Sequence, residues 1–179
     1  MVLAAGAASG ADNMTANQMN SDPQVSYDQH PDNLYHANEL SLDLFGTDAL
    51  DRYTTEHPSE NRVRHDSRLG AGIGLNYFFL RYIGVGADAW TENTAHNFVD
   101  NVSGSLILRL PFEPLGLAPY AFGGGGHQFD PSVASFVHGG AGLEWRFVKH
   151  VGIFADGRYV WTDRTRNYSL FRAGVRLSF

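Results

Sequence analysis

The sequence has no cysteine, which excludes disulfides and thiolate metal sites. It leaves the compartment open, because exported chains can also lack cysteine. No apolar run reaches the roughly 18 residues that a membrane-spanning helix needs. The longest such stretch, near Leu75 to Leu80, is short and broken by polar residues. A helical membrane protein is thereby excluded. Basic stripes are also missing, and a formal charge of −6 gives no general attraction to nucleic acid. What the chain does have is glycine (20 residues) and aromatics (13%), a mixture suited to short strands and tight turns and poor for helices.

The N-terminal part is set apart by composition. Met1 to Ala11 is apolar and rich in small residues, with Ala5-Gly6-Ala7 suited to signal-peptidase cleavage. The first positive charge is Arg52, so residues 1–11 are expected to be the remnant of a signal peptide whose basic start is missing. Residues 12–37, rich in Asn, Asp, Gln, Ser and Pro, are expected to form a flexible polar leader. From Asn38 onward, residues 38–179 read as one organised domain.

The dominant signal there is strict alternation, the mark of strands with two chemically different faces. In 39–45, Leu40, Leu42 and Leu44 oppose Glu39, Ser41 and Asp43. In 68–79, Leu69, Ala71, Ile73, Leu75, Tyr77 and Phe79 oppose Arg68, Gly70, Gly72, Gly74 and Asn76. Ile83, Val85, Ala87 and Ala89 oppose Tyr82, Gly84, Gly86, Asp88 and Trp90; Val102, Leu106, Leu108, Leu110 and Phe112 oppose Asn101, Ser103, Ser105 and Arg109. The Gly-rich stretch 117–127 has a weak phase, and Tyr120 and Phe122 are assigned to its apolar face. Val137, Ala141, Leu143, Trp145 and Phe147 oppose His138, Glu144 and Arg146. Val151, Ile153, Ala155, Tyr159 and Trp161 oppose Asp156, Arg158 and Thr162. Phe171, Ala173, Val175, Leu177 and Phe179 oppose Arg172, Arg176 and Ser178. The expected fold is all-β, an eight-stranded antiparallel up-and-down transmembrane β-barrel.

Three observations favour a membrane barrel over a soluble one. The apolar faces carry no charge, whereas the opposite faces carry Glu39, Asp43, Asp88, Glu144 and Asp156 with Arg68, Arg109, Arg146, Arg158, Arg172 and Arg176. Tyr77, Phe112, Tyr120, Trp145, Phe147, Tyr159, Trp161 and Phe179 fall on the apolar side mostly near strand ends, where interfacial girdles sit. Long connections (46–67, 91–100, 128–135, with a modest 163–167) alternate with short ones at Leu80-Arg81, Glu113 to Gly116 and Val148 to His150. Short periplasmic turns and long outer loops give that alternation, with both termini periplasmic.

On these residues the chain resembles the small bacterial outer-membrane barrels of the OmpA transmembrane-domain, OmpX and opacity-protein kind. The Gly-rich Leu69 to Gly74 stretch and the last strand carry the resemblance over residues 38–179. It implies a location in the bacterial outer membrane among lipid and lipopolysaccharide. It also implies that Phe171, Val175, Leu177 and Phe179 form the signal read by the barrel-assembly machinery. No peptidoglycan-binding domain is expected after the barrel.

The interior of eight strands is just wide enough for side chains to fill. The inward acids and arginines are expected to pair, because an unpaired charge there is costly. A plugged lumen follows, with Trp90, Phe154 or an arginine filling the room left by inward glycines; a narrow water path is the alternative. No enzyme is expected. A lipid A-modifying site would need a His–Ser pair on a strand, and His57-Pro58-Ser59 and His65-Asp66-Ser67 fall in the first long connection. His57, His65, His96 and His127, with Asp66 or Asp130, share one end but lack ligand spacing, so no metal site is expected, and inward His138 reads as a satisfied lumen residue. Gly123 to Gly126 lacks the Lys-Ser/Thr and helix of a phosphate loop, so no cofactor is expected. The expected role is structural or surface-interacting, as a monomer. A narrow porin and a soluble lipocalin-like carrier are the competing readings. The polar residues Asp51, Arg52, Glu56, Glu60, Arg62 and Arg64 are the expected contact surface.

Overall fold

The computed structural model describes residues 33–57, 60–92, 99–130, 133–163 and 166–179, and the side chains of these outside 51–66. The signal-peptide remnant, most of the leader and His96 lie outside the described residues. Eight strands follow in chain order: β1 (Glu39–His57), β2 (Glu60–Leu80), β3 (Ile83–Thr91), β4 (Asn101–Arg109), β5 (Leu117–Gln128), β6 (Ala134–Val148), β7 (Val151–Thr162) and β8 (Tyr168–Ser178). Each pairs antiparallel with the next, and β1 returns to β8 from Ser41↔Ser178 to Leu50↔Ser169, closing the barrel. Closure leaves no free edge along the paired length.

Because side chains alternate across a strand, the period of two in the sequence becomes an inside and an outside. The outside is apolar: Leu44, Ile73, Leu75, Leu106, Leu108, Val137, Leu143 and Ile153 are all exposed on it. Glu39, Asp43, Asp88, Arg109, Glu144, Arg146, Asp156, Arg158, Arg172 and Arg176, on the opposite faces, are buried. A water-soluble monomer rarely exposes a contiguous apolar area beyond a few hundred Å². Here the apolar surface goes round the whole barrel.

Two features depart from the sequence reading. The first long connection is not a loop, since β1 and β2 stay paired without a break from Glu39↔Phe78 to His57↔Glu60. Pairing to β8 stops at Leu50 and pairing to β3 stops at Ala71↔Thr91, so the hairpin extends past its neighbours. Strands that leave a barrel have no lumen on one side and no apolar wall on the other. Alternation therefore lapses while the ladder continues.

The second departure is the phase of β5. Tyr120 (6% exposed) and Phe122 (8%) point inward, and Leu117, Pro119 and Ala121 take the outward positions. Tyr120 therefore belongs to the lumen and not to a girdle. Small residues on both faces of this strand had hidden which face was which.

The short turn between β4 and β5 depends on one backbone conformation. After the single 3-10 turn Glu113–Leu115, Gly116 adopts φ 61°, and a Cβ there would lie 2.2 Å from the Arg146 carbonyl oxygen. That carbonyl cannot retreat, because Arg146 is anchored in β6 and its N–H donates to Gly116 O at 2.7 Å. Left-handed backbone alone costs a non-glycine residue about 1–2 kcal/mol. Gly116→Ala is expected to destabilise the barrel by at least about that amount, read as a lower urea midpoint for loss of the folded band on an unheated gel.

Candidate functional site

The inward faces of β1, β3, β4, β6, β7 and β8 bring ten charges together as two connected groups. In the first, Arg109 donates to both oxygens of Glu39 (2.7 and 3.2 Å), and Arg146 also donates to both (2.9 Å each). Arg146 further donates to Glu144 through Nε at 3.0 Å and through Nη2. Arg176 joins Glu144 (2.7 Å) to Asp43, which it grips with two bonds of 2.7 Å, and Asn76 adds a bond to Asp43 at 2.9 Å. In the second group, Arg172 holds Asp156 with bonds of 2.8 and 2.7 Å and lies 2.9 Å from Asp88, to which Arg158 also donates at 2.9 Å. Tyr120 donates its hydroxyl to Asp156 at 2.7 Å, and its ring lies 5.6 Å from the Arg176 guanidinium, so it links the two groups.

Within these groups the acids Glu39, Asp43, Asp88, Glu144 and Asp156 match the cations Arg109, Arg146, Arg158, Arg172 and Arg176 in number. The sixth arginine expected in the network, Arg68, lies apart. It is 38% exposed and pairs with Glu92 at 3.3 Å near the end of the long connections. Glu92 was not legible as its partner, because it sits just past the last alternating residue of β3.

Aromatic rings fill the space between the charged groups. Phe45 faces Gly72, Tyr120 faces Gly142, Phe122 faces Gly140 and Phe136 faces Gly126 across neighbouring strands. A Cβ on any of these glycines would come within 2.8 Å of the opposing ring. Arg172 packs over Phe45 and Phe122, Arg158 over Trp90 and Phe122, and Arg109 over Phe78 at 3.6 Å. Such contacts hold a desolvated guanidinium in place without a further acid. Towards the long connections the interior becomes apolar, with Ala49, Trp90, Phe136, Val160, Tyr168 and Leu170 packed in one cluster with Phe45 and Phe154. His138 is buried with ring centroids 6.0 Å from Phe122 and Phe136. It packs among these rings with the Gly104 backbone as its polar neighbour.

The short-turn end is closed by a segment the sequence reading had placed in the flexible leader. Tyr35 is fully buried there, its ring centroid 4.3 Å from the Arg146 guanidinium and 5.1 Å from that of Arg109. Burial, followed by the nearby Glu144 carboxylate, raises the pKa of its phenol, which stays protonated and donates to Gly116 O at 2.8 Å. A lone tyrosine in a polar stretch carries no periodicity that would have revealed this.

The other expected site residues are placed as follows. Tyr77, Phe112, Trp145, Phe147, Tyr159, Trp161 and Phe179 are exposed on the outer wall, and so are Phe171 and Val175, while Leu177 is half-buried. Tyr82, expected on the inward face, is exposed instead, because it sits in the β2–β3 turn where alternation does not apply. The side chains of His57, His65 and Asp66 lie outside the described residues. Ser67 donates to Asp48 at 2.6 Å, and His127 contacts Ser135 Oγ (3.4 Å) and the Phe129 ring. Among the described residues no three potential metal ligands converge.

The sequence matches no protein-family model and no curated protein. Solved structures do match. The N-terminal β-barrel domain of OprF from Pseudomonas aeruginosa is 16% identical over 80% of this chain and 98% of that domain, with a TM-score of 0.60. The attachment invasion locus protein Ail of Yersinia pestis is 16% identical over 80% of this chain and 99% of its own, with a TM-score of 0.55. Neisserial surface protein A is 13% identical over 78% and 97% of the two chains, with a TM-score of 0.55. The fold is thus the closed eight-stranded up-and-down barrel of small outer-membrane proteins. At these identities the likeness is one of fold.

The ion pairs make a sharp prediction. Arg176→Met leaves Asp43 and Glu144 buried without their shared counter-charge, and is expected to cost about 3–5 kcal/mol. Adding Asp43→Asn to Arg176→Met restores the balance, Arg109 and Arg146 against Glu39 and Glu144, and should return more than half of that loss. The urea midpoints of the double and single variants check it.

Proposed function

We infer that the chain is a bacterial outer-membrane barrel with a structural or surface-interaction role, its lumen plugged and not conducting. The observation that carries this is the inversion of the barrel: an apolar wall outside, and inside it a charge-balanced set of ion pairs packed among aromatic rings. Such a wall suits hydrocarbon, and strands of the barrel have the length to cross it. The fold shared with OprF, Ail and Neisserial surface protein A supports the same location. The short turns and both barrel ends of the chain face the periplasm in this reading. The extended β1–β2 hairpin, with Asp51, Arg52, Glu56, Glu60, Arg62 and Arg64 in its sequence, then reaches outward to lipopolysaccharide or a surface partner. The wall aromatics form girdles at the two interfaces, and the last strand is handled by the barrel-assembly machinery. The protein acts as a monomer and carries out no reaction.

Expression with a working signal peptide tests the location. An outer-membrane product that migrates differently unheated and boiled is expected. In intact cells, Arg166→Cys should label with a membrane-impermeant thiol reagent and Lys149→Cys should not; the reverse pattern would invert the orientation. Reproducible single-channel steps in planar bilayers would replace the plugged reading with a narrow porin. A product soluble without detergent would overturn the membrane reading altogether.

A further inference from the structure

We propose that residues 33–38 are a strap that stoppers the periplasmic mouth of the lumen and can be released as a unit, with Tyr35 as the stopper. The proposal rests on the reading of the chain as a closed membrane barrel and adds to it a part that opens.

Residues 33–38 belong to no strand ladder of the barrel. Their tethers run mainly to side chains and to one turn. Leu34 N–H and Tyr35 N–H donate to the two oxygens of Glu113, at 2.9 and 3.4 Å. Tyr35 Oη donates to Gly116 O, the same carbonyl that accepts from Arg146 N–H. In return, Arg146 Nη1 donates to Leu34 O at 2.6 Å and Arg109 Nη2 donates to His36 O at 3.2 Å. The two arginines that clasp Glu39 are therefore the two that hold the strap. Glu113 is itself paired with Arg81 at 2.6 Å, which fixes it at the rim.

The strap joins the barrel through a hinge. Asn38 has φ 56°, the one non-glycine residue with positive φ among those described, and its side chain accepts from Tyr77 Oη at 3.1 Å. That conformation reverses the chain from the mouth into β1, and asparagine tolerates it better than most residues. A segment held by side chains and a turn, next to a hinge, can leave without breaking the β-ladder. The ladder and the ion pairs of Glu39 with Arg109 and Arg146 do not need it. What it adds is closure: Ser41 and Ser178, facing inward at the same end on paired positions of β1 and β8, are both buried.

The lack of cysteine makes the test clean. Ser41→Cys is prepared alone and combined with Tyr35→Ala, Tyr35→Phe or Glu113→Ala. Each purified, heat-modifiable protein is exposed to a small charged methanethiosulfonate, with Lys149→Cys as the exposed reference. With the strap intact, Ser41→Cys should label far more slowly than the reference. Tyr35→Ala and Glu113→Ala should each raise its rate about tenfold or more, as expected when a locally held segment loses a few hydrogen bonds. Tyr35→Phe keeps the ring and should stay much nearer the slow rate. Glu113→Ala touches none of the charges of the two lumen groups, so it serves should Tyr35→Ala not fold. Fast labelling with the strap intact overturns the proposal, as does unchanged slow labelling in both loosened variants. Loss of heat-modifiability by the parent chain would instead overturn the barrel reading beneath it.

Discussion

A charge inside a closed barrel must find its counter-charge inside the same barrel. Bringing an ion out of water costs several kcal/mol even after relaxation, and only close, multiply bonded partners recover it. This one constraint explains why the buried arginines in the lumen are nearly all held by two or more bonds, and why Asp43 and Glu39 accept from more than one donor. It also explains the equal numbers. Five acids and five arginines neutralise one another in the interior, and the arginine left over, Arg68, sits at the rim where Glu92 and solvent are within reach.

The rings follow from the same confinement. Inward rings are bulky, and glycine stands opposite most of them on a neighbouring strand. The glycines are therefore a record of where the rings lie, and their number reflects a crowded interior and not a flexible chain. The ring faces then solvate the arginines. Arg172 packs against Phe45, Phe122 and Phe154 while bonded to Asp156.

Much of this was legible where both faces of a strand were chemically distinct. β3, β4, β6, β7 and β8 each set Leu, Val, Ile or a large aromatic ring against Arg, Asp or Glu, and their inward and outward sides read directly from the sequence. β5 did not, because Gly123 to Gly126 left both sides small. The signal that could have settled Tyr120 lies on the next strand: Glu144 and Arg146 put Gly142 and Gly140 inside, and inside glycines call for rings opposite. The upper half of the β1–β2 hairpin was missed for a different reason. Alternation reports two unlike surroundings, and that hairpin has left both of them. Tyr35 could not be found at all by periodicity, since its hydrogen bonds reach residues 78 and 81 positions away in sequence.

The ion pairs also decide register. Because strand side chains alternate, sliding any strand by one residue exchanges its inner and outer faces. For β8 such a slip would take Arg172 and Arg176 from Asp156, Asp43 and Glu144 and press them against the apolar outer wall, while Phe171 and Val175 entered the lumen. In a membrane barrel a lipid-facing arginine costs about 2–4 kcal/mol at mid-depth, before any abandoned carboxylate is counted. A slip by two residues restores the faces but moves each arginine about 7 Å along the strand, beyond bonding distance of its partner. An all-apolar interior of equal volume would resist the first slip and hardly notice the second. The buried charges thus contribute less as net stabilisation than as a rule that admits one alignment of eight strands.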